Sequence, residues 1–142
     1  MIKFDIESAL QQHTVWAEGV RRFPYEDSVG ILSIAVGRNL EHRGLNDDEI
    51  ELMLKNDLAL ALSEAQKLEY FDRLDGVRQL VVRDMVFNMG LPRFSGFVKT
   101  NAALKVGDYL KAAAEMVDSE WYRQTGRRAQ RLVRAMHTGA WK

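Results

Sequence analysis

Residues 18–38 read EGVRRFPYEDSVGILSIAVGR, and this stretch interrupts an otherwise helical chain. Upstream, DIESALQQHTVWAE carries a helical period that ends at Glu18, with Gly19 placed to cap it. Downstream, Pro24, the pair Asp27-Ser28 and Gly30 are turn formers, and the run ILSIAV at 31–36 is apolar and partly β-branched. The pattern predicts two short strands around a turn, a small hairpin. RNLEHRG at 38–44 then reads as a polar connection.

From Leu45 onward the helical period returns and lasts almost to the end. Asn46 followed by Glu49 has the spacing of a capping box, and Asp47 and Asp48 suit the positive end of a helix. Ile50, Leu52, Leu54, Leu58, Leu62 and Ala65 form an expected apolar stripe on that helix. GVRQLVVRDMVFNMG at 76–90 is more apolar and predicts a largely buried helix. Further helices are expected over 93–104, 106–117 and 126–137. The class is α+β and mostly α, with one small hairpin near the front and a helical bundle behind it.

A chain of 142 residues fits one domain, and 46% hydrophobic residues suffice for a core. Gly and Pro together number only 12, which excludes long disordered tracts. There is no cysteine, so disulfides and thiolate metal sites are excluded. The opening MIKFDIESALQQ lacks the apolar core of a signal peptide, and no apolar run is long enough to cross a bilayer, so no stable membrane insertion is expected. His13, His42 and His137 have no metal-ligand spacing. Charge is uneven: residues 1–70 carry 7 Lys and Arg against 13 Asp and Glu, and residues 71–142 carry 13 against 7. Such a field can steer a polyanion; a solvated surface is the plainer explanation. The basic run Arg123, Arg127, Arg128, Arg131 and Arg134 is read as an exposed cationic helix face, and no nucleic-acid partner is expected. Trp16, Trp121, Tyr122 and Trp141 could stack on sugars, but Trp121 is read as core.

In the front segment Glu18, Asp27 and Ser33 stand out together. Cleavage of a glycosidic bond needs two carboxyl groups, one protonated in apolar surroundings and one ionised. Trp16 and Phe23 lie close to Glu18 in sequence and would supply such surroundings. Spacing alone does not distinguish this from two acids that happen to flank a turn.

The segment E-G at 18–19, D at 27 and S-I-A-V-G-R at 33–38 resembles the active-site segment of phage-type lysozymes, glycoside hydrolases with Glu, Asp and Thr at offsets of nine and six residues, the offsets found here. LNDDEIELMLKNDLALA resembles that family's interlobe helix. LDGVRQLVVRDMVFNMG with FSGF resembles its central helix and the turn after it. SEWYRQTGRRAQRLVRAMHTGAW resembles its C-terminal signature. The resemblance covers about residues 12–142 and implies a two-lobed fold. Lobe 1 would span about 13–50 and the interlobe helix about 46–66. The helical lobe would take 67–142 together with 1–12.

The resemblance implies that Glu18 is the general acid, that Asp27 positions the attacking water, and that Ser33 replaces the family's Thr and shares that water. It places Phe87 and Asn88 against sugar rings and Arg128 beside the catalytic Glu. A glycine of the family is replaced by Ala35, and the histidine after the last glycine by Arg38. That histidine pairs with an aspartate matching Asp57, so an Arg38–Asp57 bridge is expected. Much of the family's β-region between 38 and 45 is missing, which implies a smaller front lobe. The implied function is that of an endolysin: a monomer without cofactor that hydrolyses the β-1,4 bond of bacterial peptidoglycan by inversion. It would collect in the host cytoplasm and reach the wall with holin assistance. Two alternatives stay open: a lytic transglycosylase using Glu18 alone, and a non-catalytic wall-binding or virion module.

Overall fold

Four helices start where a short polar side chain folds back on the next turn, as capping requires. Asp5 Oδ1 accepts from Ser8 N–H at 3.3 Å, opening α1 (Ile6–Glu18). The computed structural model describes residues 5–142, so the part of the 1–12 assignment that falls on residues 1–4 lies outside the described residues. After α1 come β1 (Arg21–Glu26), β2 (Leu32–Ala35) and β3 (Arg38–Asn39), one antiparallel sheet in the order β1-β2-β3. The hairpin is therefore present, but Arg38–Asn39 adds a two-residue strand where a polar connection was expected. Ile34 pairs with Arg38 across a three-residue turn, too short a ladder to leave a period in the sequence.

The long helix α2 (Asp47–Ala65) begins near the expected place, but its cap is only half built. Glu49 Oε2 accepts from Asn46 N–H at 2.9 Å, whereas Asn46 Oδ1 is taken by Arg43 Nη1 at 3.1 Å. Its apolar stripe is buried only near the C-terminal end. Ala61 and Ala65 are buried and Leu62 packs on the core, but Ile50, Leu52, Leu54 and Leu58 are exposed.

A 3-10 turn (Phe71–Arg73) leads to α3 (Gly76–Met89), capped by Asp75, whose Oδ1 accepts from Val77 and Arg78 N–H at 3.1 Å. The expected helix over 93–104 is two, α4 (Leu91–Ser95) and α5 (Val98–Lys105), broken at Gly96-Phe97. Asn101 secures the break: its Nδ2 donates to the Phe94 and Phe97 carbonyls at 2.9 Å, while its Oδ1 accepts from the Tyr70 hydroxyl. Burial pushes the Tyr70 phenol up, so it stays a donor. Then follow α6 (Tyr109–Val117), capped by Asp108, α7 (Glu120–Thr125), capped by Ser119, and α8 (Arg127–Thr138). Neither α7 nor the 3-10 turn is legible in the sequence, because six and three residues are too few for a helical period. The class is nonetheless as expected, a mostly helical α+β fold.

The chain divides into two compact units, one up to Leu52 and one from Met53 on. The second holds the core, in which Phe71, Val81, Val82, Met85, Phe94, Met116 and Met136 are fully buried. Each such side chain contributes about 1.5–3 kcal/mol of transfer free energy. Trp121 belongs to this core, as expected, edge-on to Phe97 with ring centroids 6.3 Å apart. Arg78 closes the far end of α8: its Nε donates to the Met136 carbonyl at 2.9 Å and Nη2 to that of His137 at 3.3 Å. Among the described residues of the first unit, Ser33 is the only one that is buried.

Candidate active site

Glu18 is the last residue of α1, and the helix stops there because Gly19 turns the chain at φ +74° while its N–H still bonds the Val15 carbonyl at 2.9 Å. The Glu18 side chain lies against Gly37, at the turn between β2 and β3. A Cβ added to Gly37 would stand 2.8 Å from Glu18 Oε2 and 2.9 Å from its Cδ. The apolar shelter expected from Trp16 and Phe23 is not there. Both rings are 80% exposed, and Glu18 itself is exposed. Trp16 turns instead to His13, with ring centroids 5.7 Å apart.

Asp27 sits at the turn between β1 and β2 and builds that turn. Its Oδ1 accepts from the N–H groups of Val29 and Ile31, both at 2.9 Å, and its carbonyl accepts from Gly30 N–H at 3.0 Å. One carboxylate oxygen is thus fixed by backbone, and Oδ2 has no hydrogen-bond partner among the described residues. That is a rigidly aimed acceptor with a free face. Ser33 is on the central strand β2, opposite Tyr25 on one side and Asn39 on the other, which explains its burial. Its Oγ donates to the Ile31 carbonyl at 3.4 Å, a long bond that leaves the hydroxyl lone pairs uncommitted.

Arg38 corrects an expectation. Its Nη1 and Nη2 donate to the two carboxylate oxygens of Glu49, each at 2.6 Å, and Nη1 also reaches the Gly44 carbonyl at 3.1 Å. The partner is therefore Glu49 and not Asp57. Glu49 stands on the first turn of α2, and Asp57 lies eight residues, or about 12 Å, further along the same helix. The guanidinium bonds, joined by the Asn46 N–H, hold the Glu49 carboxyl down at about 2. Glu49 carried a signal in the sequence, as a capping partner; that it would also bind Arg38 did not.

Phe87, Asn88 and Arg128 belong to the second unit. Phe87 is 40% exposed and lines a groove of about 320 Å³ with Asp57, Leu60, Val86 and Leu91. Asn88 is exposed, and its Oδ1 accepts from Trp121 Nε1 at 3.1 Å, which leaves its amide N–H groups for a ligand. Arg128 makes a bidentate pair with Asp84, both bonds 2.9 Å, a partner that nothing in the sequence marked. Asp84 keeps the Arg128 guanidinium firmly charged.

The family described as phage lysozyme matches residues 16–137, a span that contains every site residue named above. A probable T4-type lysozyme 2 of Dictyostelium discoideum is 25% identical over 125 residues, 82% of this chain and 74% of that protein. A probable T4-type lysozyme 1 of the same organism is 26% identical over 99 residues, 67% of this chain and 58% of its own length. The pre-baseplate central spike protein Gp5 of Enterobacteria phage T4 is 29% identical over 115 residues, 77% of this chain but only 20% of the spike protein. The family match spans most of the sequence and both structural units, and the chain belongs to the phage lysozyme family.

Proposed function

We propose that this protein is a muramidase that cleaves the β-1,4 bond between N-acetylmuramic acid and N-acetylglucosamine in peptidoglycan, with inversion. Glu18 is exposed in the free chain, so bound sugar must supply the cover that keeps it protonated; it then gives its proton to the glycosidic oxygen as the bond from C1 breaks. A water attacks C1 from the opposite face and passes a proton to Asp27. The Ser33 hydroxyl shares that water. Phe87 offers a flat apolar face, and Asn88 offers amide donors to the sugar chain. Inversion requires room for the water, with carboxyl groups roughly 6.5–9.5 Å apart. The chain works as a monomer, without cofactor.

The observation that carries this reading is the unlike attachment of the two carboxyl groups. Asp27 is bonded by one oxygen to two backbone N–H groups and has its other oxygen free. Glu18 has no hydrogen-bond partner among the described residues and touches a bare glycine. A fixed acceptor and a movable donor suit the base and the acid of an inverting pair.

Turbidity loss of permeabilised Gram-negative cells tests the reading. Glu18→Gln and Asp27→Asn should each abolish lysis, and Ser33→Ala should slow it about 10–100-fold. Mass spectrometry of the digest should show water added at the new reducing ends. Anhydro-muramyl ends would identify a transglycosylase instead. The likeness to a spike protein favours one other reading, a virion module, and a wild-type chain that binds walls but never clears them would establish it.

A further inference from the structure

We propose that Gly37 is the positioning residue for the Glu18 carboxyl, a bare seat whose lack of a side chain sets where the proton is delivered. This rests on the reading of Glu18 as the general acid. The turn that carries Gly37 is unusually constrained. Ile34 and Arg38 pair across it, leaving only Ala35, Val36 and Gly37 to reverse the chain. Two of the three are left-handed, Ala35 at φ +59° and Gly37 at φ +65°. The residue after the turn is locked, because Arg38 is clamped on Glu49 and on the Gly44 carbonyl. The α-carbon of Gly37 is therefore held in place from both sides.

Glu18 meets that carbon along its length. A Cβ at position 37 would lie 2.8 Å from Oε2, 2.9 Å from Cδ and 3.2 Å from Cγ. Real Cβ contacts essentially never fall below 3.0 Å. Any side chain at 37 must push the Glu18 carboxyl away. The far end of a glutamate swings at little energetic expense, so the fold barely registers the displacement, whereas proton transfer does. A shift of about 1 Å in a reacting group can cost about 100-fold in rate.

The left-handed backbone adds a penalty that any alanine there would share, and Gly107, which takes no part in the clamp, isolates it. Gly107 has φ +74° with nothing within 4 Å of an added Cβ. The comparison is therefore Gly37→Ala against Gly107→Ala in the full chain, on solubilised peptidoglycan, with Glu18→Gln alongside. Both alanine variants should lose similar thermal stability. Gly37→Ala alone should lose about 100-fold in kcat, with KM held within about twofold, because substrate binding does not need the carboxyl in position. A Gly37→Ala enzyme as fast as Gly107→Ala overturns the seat while leaving Glu18 its role. A fully active Glu18→Gln removes the reading on which the proposal rests. If Gly37→Ala folds poorly, melting in a Glu18→Ala background decides: there the substitution at 37 should cost no more than at 107, and a larger loss overturns the contact with Glu18.

Discussion

Ala35 is the one described residue other than glycine with a positive φ, +59°. A side chain in that region costs roughly 1–2 kcal/mol, because Cβ crowds the following carbonyl. The family resemblance puts glycine there. Ala35→Gly should therefore relieve about 1–2 kcal/mol of strain against about 0.4–1 kcal/mol for the looser unfolded chain, a net gain of somewhat under 1 kcal/mol. A melting scan should show a gain of about 3 °C for a chain of this size, and a fall in Tm would mean that the methyl makes packing contacts worth more than the strain. At the same scale, the site was legible in part. Glu18, Asp27 and Ser33 stood out through residue type and offset, read through a resemblance. The partners of Arg38 and Arg128, and the contact between Glu18 and Gly37, were not legible. Each joins residues between eleven and forty-four positions apart, and no periodicity records which carboxylate a guanidinium reaches.

Elements here are fixed by their ends. The Arg38–Glu49 pair ties β3 to the start of α2, and its pH dependence has a definite sign. The Glu49 carboxyl is depressed to about 2 in the folded chain, below its ordinary value of 4.5, so the pair's stabilisation is complete above that ordinary value. It is lost as pH falls toward and through about 2. Glu49→Gln should remove this part of the acid slope of Tm and leave the neutral region flat; an unchanged slope would mean that the pair dissolves in solution. At the other end of the chain, Gly139 caps α8 at φ +72°, and a Cβ there would stand 2.5 Å from Arg78 Nη1. Gly139→Ala should lose about 1–2 kcal/mol from the backbone and more from displacing Arg78. Gly107→Ala, at φ +74° in open space, should lose only the first part, and equal melting of the two would refute the Arg78 contribution. The helix start at Asn46 was readable because a capping box is local chemistry, although only its Glu49 half is formed. The break at Gly96 was not, since it depends on Asn101 gathering two carbonyls and the Tyr70 hydroxyl.

Across the whole molecule, buried side chains are unequally shared. Among the described residues, every buried hydrophobic one lies from Ala61 onward, and the first unit buries Ser33 alone. Local stability follows buried contact, so hydrogen exchange should be slowest in α3 and α8. The amides of β1–β3 should exchange through a smaller opening, at a free energy below that of global unfolding. Mass-resolved exchange would show this as two protection classes divided near Leu52, and uniform protection would contradict it. The helical bulk of this architecture was legible from apolar spacing. Apolar spacing does not mark the division at Leu52, because α2 runs through it without a break in helical pattern; only the family resemblance suggested a lobe ending near residue 50.

The sulfur atoms of the core have a consequence for how the protein ages. Met85, Met116 and Met136 have no measurable solvent contact, whereas Met53 is half exposed on α2. Among the described methionines, peroxide therefore meets Met53 first and turns it into a polar sulfoxide on a surface that tolerates one. The three interior thioethers are reached only when the bundle opens. The order in which sulfoxides accumulate becomes a chemical clock that separates surface wear from whole-molecule unfolding.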